Sequence, residues 1–273
     1  MEKSLKLYLS LLITLVSISS CVNDTDLDKR TIAEKLYKDA IQHMQGSTAF
    51  QNGIAEAVNI DPTYQKAVYE LSVADLKRGL PHKWLPQYNK AVKLNPKLRI
   101  PWRGYLYLWF YRDYKKAIAD FDASDELTTY IDNPQGHSVD YWRGIAYLGL
   151  KDYKKSQAYF KKDIERQTKE FSEDYIDSST FLYYGIALME TQNYDTALIN
   201  LNKVLTYSNN TSSDAKYYKA LIFKAQGELA KAKTEISNAI IDFNNGYYNQ
   251  RAYVEALRQL YAQDFEQLKQ SLN

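Results

Sequence analysis

Several residue types are scarce in this chain of 273 residues, and each scarcity excludes a class of fold or function. Only 10 Gly and 6 Pro are present, too few for a loop-rich or all-β fold. The single cysteine excludes an intramolecular disulfide framework. His43, His82 and His137 are scattered, with no second ligand three or four residues away, so they do not form a metal-binding pattern. We therefore expect a helical protein without a metal or other cofactor.

An excess of charge of one sign is also missing. The sequence has 35 Lys and Arg against 33 Asp and Glu. Without residues 1–20, which contain Lys3, Lys6 and Glu2, the balance is 33 against 32. Such a chain has no bulk charge to attract a nucleic acid, and we expect no nucleic-acid partner.

No catalytic constellation is visible. Gly144 and Gly149 have the spacing of a phosphate-binding loop, but Leu150-Lys151 follows where Lys-Ser or Lys-Thr would be needed. No nucleophile, base and orienting group occur together. The sequence therefore predicts a protein that is not an enzyme. A hydrolase hidden in the degenerate repeats described below stays an alternative that only measured turnover would support.

The N-terminus has the pattern of a targeting segment. Lys3 and Lys6 precede an apolar run of 12 residues, Leu7 to Ile18, which is too short to span a bilayer. The run ends in Ser19-Ser20-Cys21, which resembles the lipobox of bacterial lipoprotein signal peptides. That resemblance implies that residues 1–20 are a signal peptide and that Cys21 is lipidated. It predicts a lipid-anchored protein of the bacterial cell envelope, with the outer membrane as the expected site. The alternative is an ordinary secretory signal followed by a coincidental cysteine.

Residues 21–30 are polar and lack an apolar pattern, so we expect the lipidated cysteine to be followed by a flexible tether.

The remaining sequence is repetitive. Ala57-Val58-Asn59-Ile60-Asp61-Pro62 recurs 34 residues later as Ala91-Val92-Lys93-Leu94-Asn95-Pro96, and the Asp/Asn-Pro ending is a helix stop signal. Trp102-Arg103-Gly104 recurs as Trp142-Arg143-Gly144. A small residue predicted to lie on the first helix of a repeat occurs at Gly104, Gly144, Gly185 and Ala220. The matching second helices carry pairs four residues apart: Ala117 and Phe121, Ser156 and Phe160, Ala197 and Leu201, Ala232 and Ile236.

With this register the chain resembles the tetratricopeptide-repeat (TPR) family, whose unit is a helix–turn–helix of 34 residues. The resemblance implies an all-α, right-handed superhelical solenoid of about 13 helices. Residues 31–246 would form about six repeats, the first two degenerate because Phe50 and Trp84 replace a small residue. Longer loops are expected at 125–137 and 171–177. Residues 247–273 are predicted to be a C-terminal capping helix, since Leu257, Leu260, Tyr261, Phe265 and Leu268 are three or four apart.

One aromatic residue stands two positions before each small residue of the first helices. These residues are Trp102, Trp142, Tyr183 and Tyr218, with Tyr141 and Tyr217 beside them. In the family, this position tends to face the concave groove, so the resemblance implies an aromatic ladder that binds a ligand or partner. The alternative is that the rings only pack one repeat against the next.

The sequence thus predicts a non-enzymatic envelope lipoprotein. Its solenoid would bind a protein or an extended peptide in the concave groove, as an adaptor or scaffold in envelope assembly or secretion. The alternative is a glycan- or nutrient-binding lipoprotein, because aromatic ladders also stack on sugar faces.

Overall fold

The computed structural model describes residues 24–272, and every regular element in that range is helical. The chain divides between Asn95 and Pro96 into two compact units. Unit 1 contains α1 (Asp24–Ala40), α2 (Thr48–Ile60), α3 (Gln65–Lys77) and α4 (Pro81–Leu94). Unit 2 contains α5 (Pro96–Tyr111), α6 (Tyr114–Leu127), α7 (Val139–Gly149), α8 (Tyr153–Glu170), α9 (Ser178–Met189), α10 (Tyr194–Tyr207), α11 (Ser213–Ala225), α12 (Leu229–Asn244) and α13 (Ala262–Gln270). The all-α prediction, with 13 helices in the described range, is confirmed.

The N-terminal part of the structure differs from the predicted tether. The signal peptide and Cys21 lie outside the described residues, but α1 already begins at Asp24. The flexible tether over residues 21–30 is therefore wrong from Asp24 onward. Residues 24–30 contain no Gly or Pro that would interrupt a helix. No helix within residues 24–272 is long and apolar enough to cross a membrane.

Consecutive helices pair into six hairpins, two in unit 1 and four in unit 2. In unit 2 the first helices of the hairpins, α5, α7, α9 and α11, contact one another in sequence order. They form one face of the unit, called here the inner face. Within unit 2 each second helix packs on its own first helix, and α6, α8 and α10 also pack on the first helix of the next hairpin, whereas α12 packs on α13.

Glycine allows close contact inside the hairpins of unit 2. A Cβ on Gly144 would stand 2.8 Å from Cε1 of Phe160, and a Cβ on Gly104 would stand 2.7 Å from Cε1 of Phe121. Both distances are shorter than real Cβ contacts allow. The predicted pairing of a small residue on the first helix with a large one on the second is therefore correct.

The first hairpin achieves its close contact differently. Gly53, on the second helix α2, faces Ala40 on α1, where an added Cβ would come within 2.7 Å of the alanine Cβ. Phe50 and Trp84, the bulky residues that make the first two repeats degenerate, are both buried. In the first hairpin the small residue of the second helix is therefore Gly53, three positions after Phe50, and the repeat pattern is weaker there.

The inter-repeat loops of unit 2 lie where the repeat spacing predicts them. One follows α6 and contains a 3₁₀ turn at Pro134–Gly136, and the other follows α8 and contains a 3₁₀ turn at Glu173–Tyr175.

A buried arginine joins α7 to α6. Arg143 is 1% exposed, and its guanidinium donates to Asp140 (2.9 Å) on α7 and to Asp122 (3.0 Å) and Asp125 (2.6 Å) on α6. Arg103, the matching residue one repeat earlier, binds Asp120 with two hydrogen bonds of 2.7 and 2.8 Å. The duplicated Trp-Arg-Gly sequence therefore supplies ion pairs to both hairpins, although to different partners.

The C-terminal prediction is half correct. Phe265 and Leu268 are buried on α13, but α13 spans only Ala262–Gln270, and residues 247–261 are irregular. Within that segment, Tyr253 and Arg258 have φ angles of 72° and 60°, which no α-helix accommodates. The predicted helix over 247–273 is therefore wrong before Ala262, where main-chain groups bond to side chains of other elements. Residues 247–261 are called the C-terminal segment below.

Candidate functional site

The C-terminal segment is bound to the inner face through its own main chain. Arg112, just after α5, donates a hydrogen bond to the carbonyl oxygen of Glu255. The hydroxyl of Tyr183 on α9 donates to the carbonyl oxygen of Leu257 at 3.2 Å. The main-chain N–H of Asn249 donates to the carboxylate of Asp214 on α11 at 2.8 Å. Three hairpins thus recognise peptide groups of one non-helical segment.

Side chains of the segment add further contacts. The guanidinium of Arg251 lies 3.9 Å from the ring centroid of Trp109 and donates to the hydroxyl of Tyr105. The Asn249 amide donates to the Tyr183 hydroxyl at 2.8 Å. Arg258 forms an ion pair with Glu190 at the end of α9, at 2.5 Å. The segment therefore contacts helices from one end of unit 2 to the other.

The six rings predicted to form the ladder are placed unequally. Tyr141, Trp142, Tyr183 and Tyr218 are buried, with Trp142 only 1% exposed, whereas Trp102 and Tyr217 are half-buried. Tyr217 packs edge-on against Phe265 of α13. The rings are thus not freely exposed along an open groove, because they pack on one another and under the C-terminal segment. Binding by these rings stays a prediction.

Three of the six do come together around a cavity. Tyr141, Trp142 and Tyr183 line a cavity of about 310 Å³ with Trp109, a residue that the sequence pattern did not single out. The polar groups on its wall include His137, Asp177, Ser179, Asn249 and Arg251. Trp102, Tyr217 and Tyr218 do not line it. A second cavity of about 350 Å³ shares Asp177, Ser179 and Asn249 and extends to Asp214 and Tyr247.

Packing and hydrogen bonds hold the cavity walls in place. The indole N–H of Trp142 donates to the carbonyl oxygen of Pro134 in the first 3₁₀ turn at 2.8 Å. His137 stacks on Tyr141 with ring centroids 4.2 Å apart, and the Tyr141 hydroxyl lies 3.0 Å from that of Ser179. The loop after α6, which is longer than a normal TPR turn, therefore becomes one wall of the cavity.

Burial sets the protonation of these groups. It lowers the pKa of His137 below its usual range, although the nearby carboxylate of Asp177 acts against this effect. Burial also raises the pKa of Tyr141 and of Tyr183. At neutral pH the cavity therefore holds neutral imidazole and phenol groups, which both donate and accept hydrogen bonds. Burial raises the pKa of Asp214, in the neighbouring cavity, to about 6.

Some of these residues could have been found from the sequence. Trp102, Tyr105 and Trp109 have helical i, i+3, i+7 spacing, so they share one side of α5. Asn249 and Arg251 could not have been found in this way. They lie in a segment that the sequence predicted to be a capping helix, and no spacing relates them to α5 or α9. Within residues 24–272 no group of three His, Cys, Asp or Glu side chains could hold a metal ion.

Comparisons with known proteins identify the fold. No protein-family model matches the sequence, and no curated relative matches it. Solved structures do match: PilW, a type IV pilus biogenesis factor, has a TM-score of 0.62 at 16% identity over 78% of this chain and 94% of PilW. A tetratricopeptide repeat protein from Parabacteroides merdae has a TM-score of 0.60 at 15% identity over 89% of this chain and 99% of that protein.

The chain has the tetratricopeptide-repeat fold. YrrB, described as a TPR protein with an unusual peptide-binding site, is also similar, with a TM-score of 0.52 at 17% identity over 70% of this chain and 93% of YrrB. At these identities the likeness concerns the fold, and it confirms the predicted solenoid of TPR hairpins. The function of the chain must be argued from its own residues.

Proposed function

We propose that the protein is a non-enzymatic, lipid-anchored adaptor of the bacterial cell envelope, whose inner face in unit 2 binds an extended segment of a partner protein. One observation carries the proposal: Arg112, Tyr183 and Asp214 bind main-chain groups of the C-terminal segment. A surface that already holds a non-helical peptide in this way has the chemistry to hold another.

The inner face binds the segment through main-chain atoms, which every peptide has. Every peptide offers the same carbonyl oxygens and N–H groups, so these three contacts supply binding energy that does not depend on the partner's sequence. Specificity would come from side chains, as Arg251 shows by lying against Trp109. Arginine on an aromatic face is a common anchor in protein interfaces.

Two of the similar solved structures support a role in binding protein segments. YrrB is described by its peptide-binding site and PilW by its part in pilus biogenesis. By analogy we place the present chain among scaffolds that bind protein segments during envelope assembly or secretion. The partner would displace the C-terminal segment from the inner face.

Membrane attachment through Cys21 completes the proposal. Only the residues between Cys21 and Asp24 separate the modified cysteine from the start of α1, a distance of at most about 10 Å. Unit 1 would then stand close to the bilayer. Two signals, an acylated cysteine thiol and an acylated amino group, give stable anchoring.

The anchor is tested by replacing Cys21 with Ser. The wild-type chain should incorporate labelled fatty acid and sediment with membranes, and Cys21→Ser should do neither. A Cys21→Ser variant that still carries label and sediments with membranes would refute lipidation at this residue.

Peptide binding is tested with a labelled synthetic peptide of residues 247–259. In the wild-type protein the segment occupies the inner face, so we expect weak binding. In a variant with Asn249→Ala and Arg251→Ala the segment is less firmly held, and the peptide should bind saturably. Adding Tyr183→Phe removes the hydroxyl that donates to the carbonyl oxygen of Leu257. The affinity for the peptide should fall about tenfold, as expected for the loss of one hydrogen bond. Equal binding to all three proteins, or to none, would contradict the proposal.

A further inference from the structure

The cavity beside the C-terminal segment has features beyond the contacts that hold the segment. Its walls include four aromatic side chains, Trp109, Tyr141, Trp142 and Tyr183, contributed by the three helices α5, α7 and α9. The indoles of Trp109 and Trp142 meet edge to face, with centroids 6.0 Å apart. Its volume of about 310 Å³ lies at the lower end of the ~300–1,000 Å³ range of small-ligand sites.

Trp109 supplies an unused hydrogen-bond donor. The residue is 2% exposed, and its indole N–H has no acceptor within the described part of the chain. A buried N–H without an acceptor is unfavourable, because it has lost its hydrogen bond to water. Trp142, in contrast, has its N–H bonded to Pro134. A ligand oxygen bound at Trp109 would satisfy the buried donor.

The remaining polar side chains of the cavity include hydrogen-bond donors and acceptors, and they include one positive and one negative charge. Arg251 and Asn249 offer donors, the carboxylate of Asp177 accepts, and the hydroxyl of Ser179 does either. One oxygen of Asp177 already accepts from the main-chain N–H of Ser179 at 2.8 Å. The formal charges of Asp177 and Arg251 sum to zero, so the wall offers no net charge that would attract an ion of either sign.

We propose that this cavity is a binding site for a neutral sugar, of the size of a hexose unit. Sugar hydroxyls donate and accept hydrogen bonds, which matches a wall of mixed donors and acceptors. The apolar C–H groups of a pyranose pack on aromatic side chains, and four such side chains line this cavity. The site goes beyond peptide binding: a sugar would occupy the cavity that Asn249 and Arg251 of the bound C-terminal segment help to line, whereas a partner peptide would displace that segment.

The test uses the full-length protein in detergent and a panel of neutral hexoses and their disaccharides. Trp109 and Trp142 line the cavity, so tryptophan emission should change saturably with at least one of these sugars, and calorimetry should give the same Kd. Asp177→Asn should weaken binding at least tenfold, because Asn keeps the capping oxygen for α9 but lacks the charged acceptor. Arg251→Met, which keeps the apolar part of the side chain, should also weaken binding.

Asp195→Asn is the matched control. Asp195 is an exposed residue in the first turn of α10 and lies outside the cavity. Its replacement should leave the Kd unchanged, and thermal melting should show all variants to be folded. The proposal is overturned if no neutral sugar gives a saturable response, if only amino acids or sugar acids do, or if the Asp177 and Arg251 variants bind like the control. Sugar and peptide are titrated separately, so failure of one proposal is distinguishable from failure of the other.

Discussion

Arg251 places its guanidinium 3.9 Å from the ring centroid of Trp109, and this contact joins two residues 142 positions apart in the sequence. The same guanidinium donates to the Tyr105 hydroxyl. It is the contact that brings the C-terminal segment to α5, at the far end of unit 2 from α13. The segment thereby closes over the buried rings of the inner face.

Replacing Arg251 with Ala should release the C-terminal segment. A cation on an aromatic face contributes about 1–2 kcal/mol when partly desolvated, so the segment should open more often without the fold being lost. We expect faster amide exchange at residues 249–258 and faster proteolytic cleavage there. Lys233→Ala, which removes an exposed cation from α12, is the control and should change neither. Unchanged exchange in Arg251→Ala would show that this contact does not hold the segment.

Replacing Gly144 with Leu should disrupt the fourth hairpin. Even a Cβ at this position would stand 2.8 Å from Phe160, so overpacking should cost at least ~1–3 kcal/mol of unfolding free energy. Denaturant unfolding measures the loss. Gly144→Ala should be less destabilising than Gly144→Leu. Adding Phe160→Leu to Gly144→Ala should recover part of the lost stability, since one repeat later the smaller Leu201 faces Gly185. A neutral Gly144→Leu would mean that the repeat register is wrong.

Replacing Arg143 with Met should be far more destabilising than the same change at Arg103. Arg143 is buried, and its loss would leave Asp140, also fully buried, with only the Lys162 ammonium at 2.9 Å. Breaking a buried pair costs roughly 3–5 kcal/mol, whereas pairs nearer the surface are worth about 1 kcal/mol or less. The Arg103 side chain is 20% exposed, so its pair with Asp120 is less fully desolvated than the pair of Arg143 with Asp140. Equal losses in the two variants would contradict this difference.

The stability of the protein should depend on pH through Asp214. Burial raises the pKa of this carboxyl to about 6, against the hydrogen bonds from Asn249 and Ser213 that lower it. Since the folded pKa lies above the unfolded value, protonation stabilises the fold. This contribution is complete below about pH 4 and is lost as the pH rises through about 6.

Asp214→Asn removes that titration. From pH 4 to pH 7 the unfolding free energy of the wild type should therefore fall by up to ~3 kcal/mol relative to Asp214→Asn. Asp195→Asn should show no such trend against the wild type. A wild-type curve parallel to that of Asp214→Asn would mean that Asp214 titrates normally.

The sequence contained enough to predict the hairpins but not the site. Gly144 opposite Phe160 is a local relation, set by helical spacing and a short turn, and the repeat made it visible. The contact between Arg251 and Trp109 is not local in sequence. In the segment that contains Arg251, Leu257 and Leu260 have a helix-like spacing, which led to the wrong prediction of a helix. Arg112 and Tyr183 donate hydrogen bonds to the main chain of the segment, and Asp214 accepts one from it. These non-local bonds hold the segment in a non-helical conformation, and no local sequence pattern records them.

The repeat pattern predicts the positions of the aromatic residues but not their burial. Trp142 occupies the predicted position in the repeat, yet it is buried against Tyr105, Trp109 and Tyr141. We therefore expect Trp142→Ala to cost ~3–5 kcal/mol of stability, as for other buried aromatic residues. The family pattern gives the direction in which a side chain points, but what covers it depends on the C-terminal segment.

The most direct test of a partner-binding inner face is site-specific photo-crosslinking in living cells. A photoreactive residue at position 178, which lines the second cavity, is compared with one at position 161, an exposed site on α8. Our account predicts a discrete adduct with one protein from position 178 and none from position 161, with a weaker adduct when Tyr183 is replaced with Phe. The same adducts from both positions, or an adduct from position 161 alone, would contradict it.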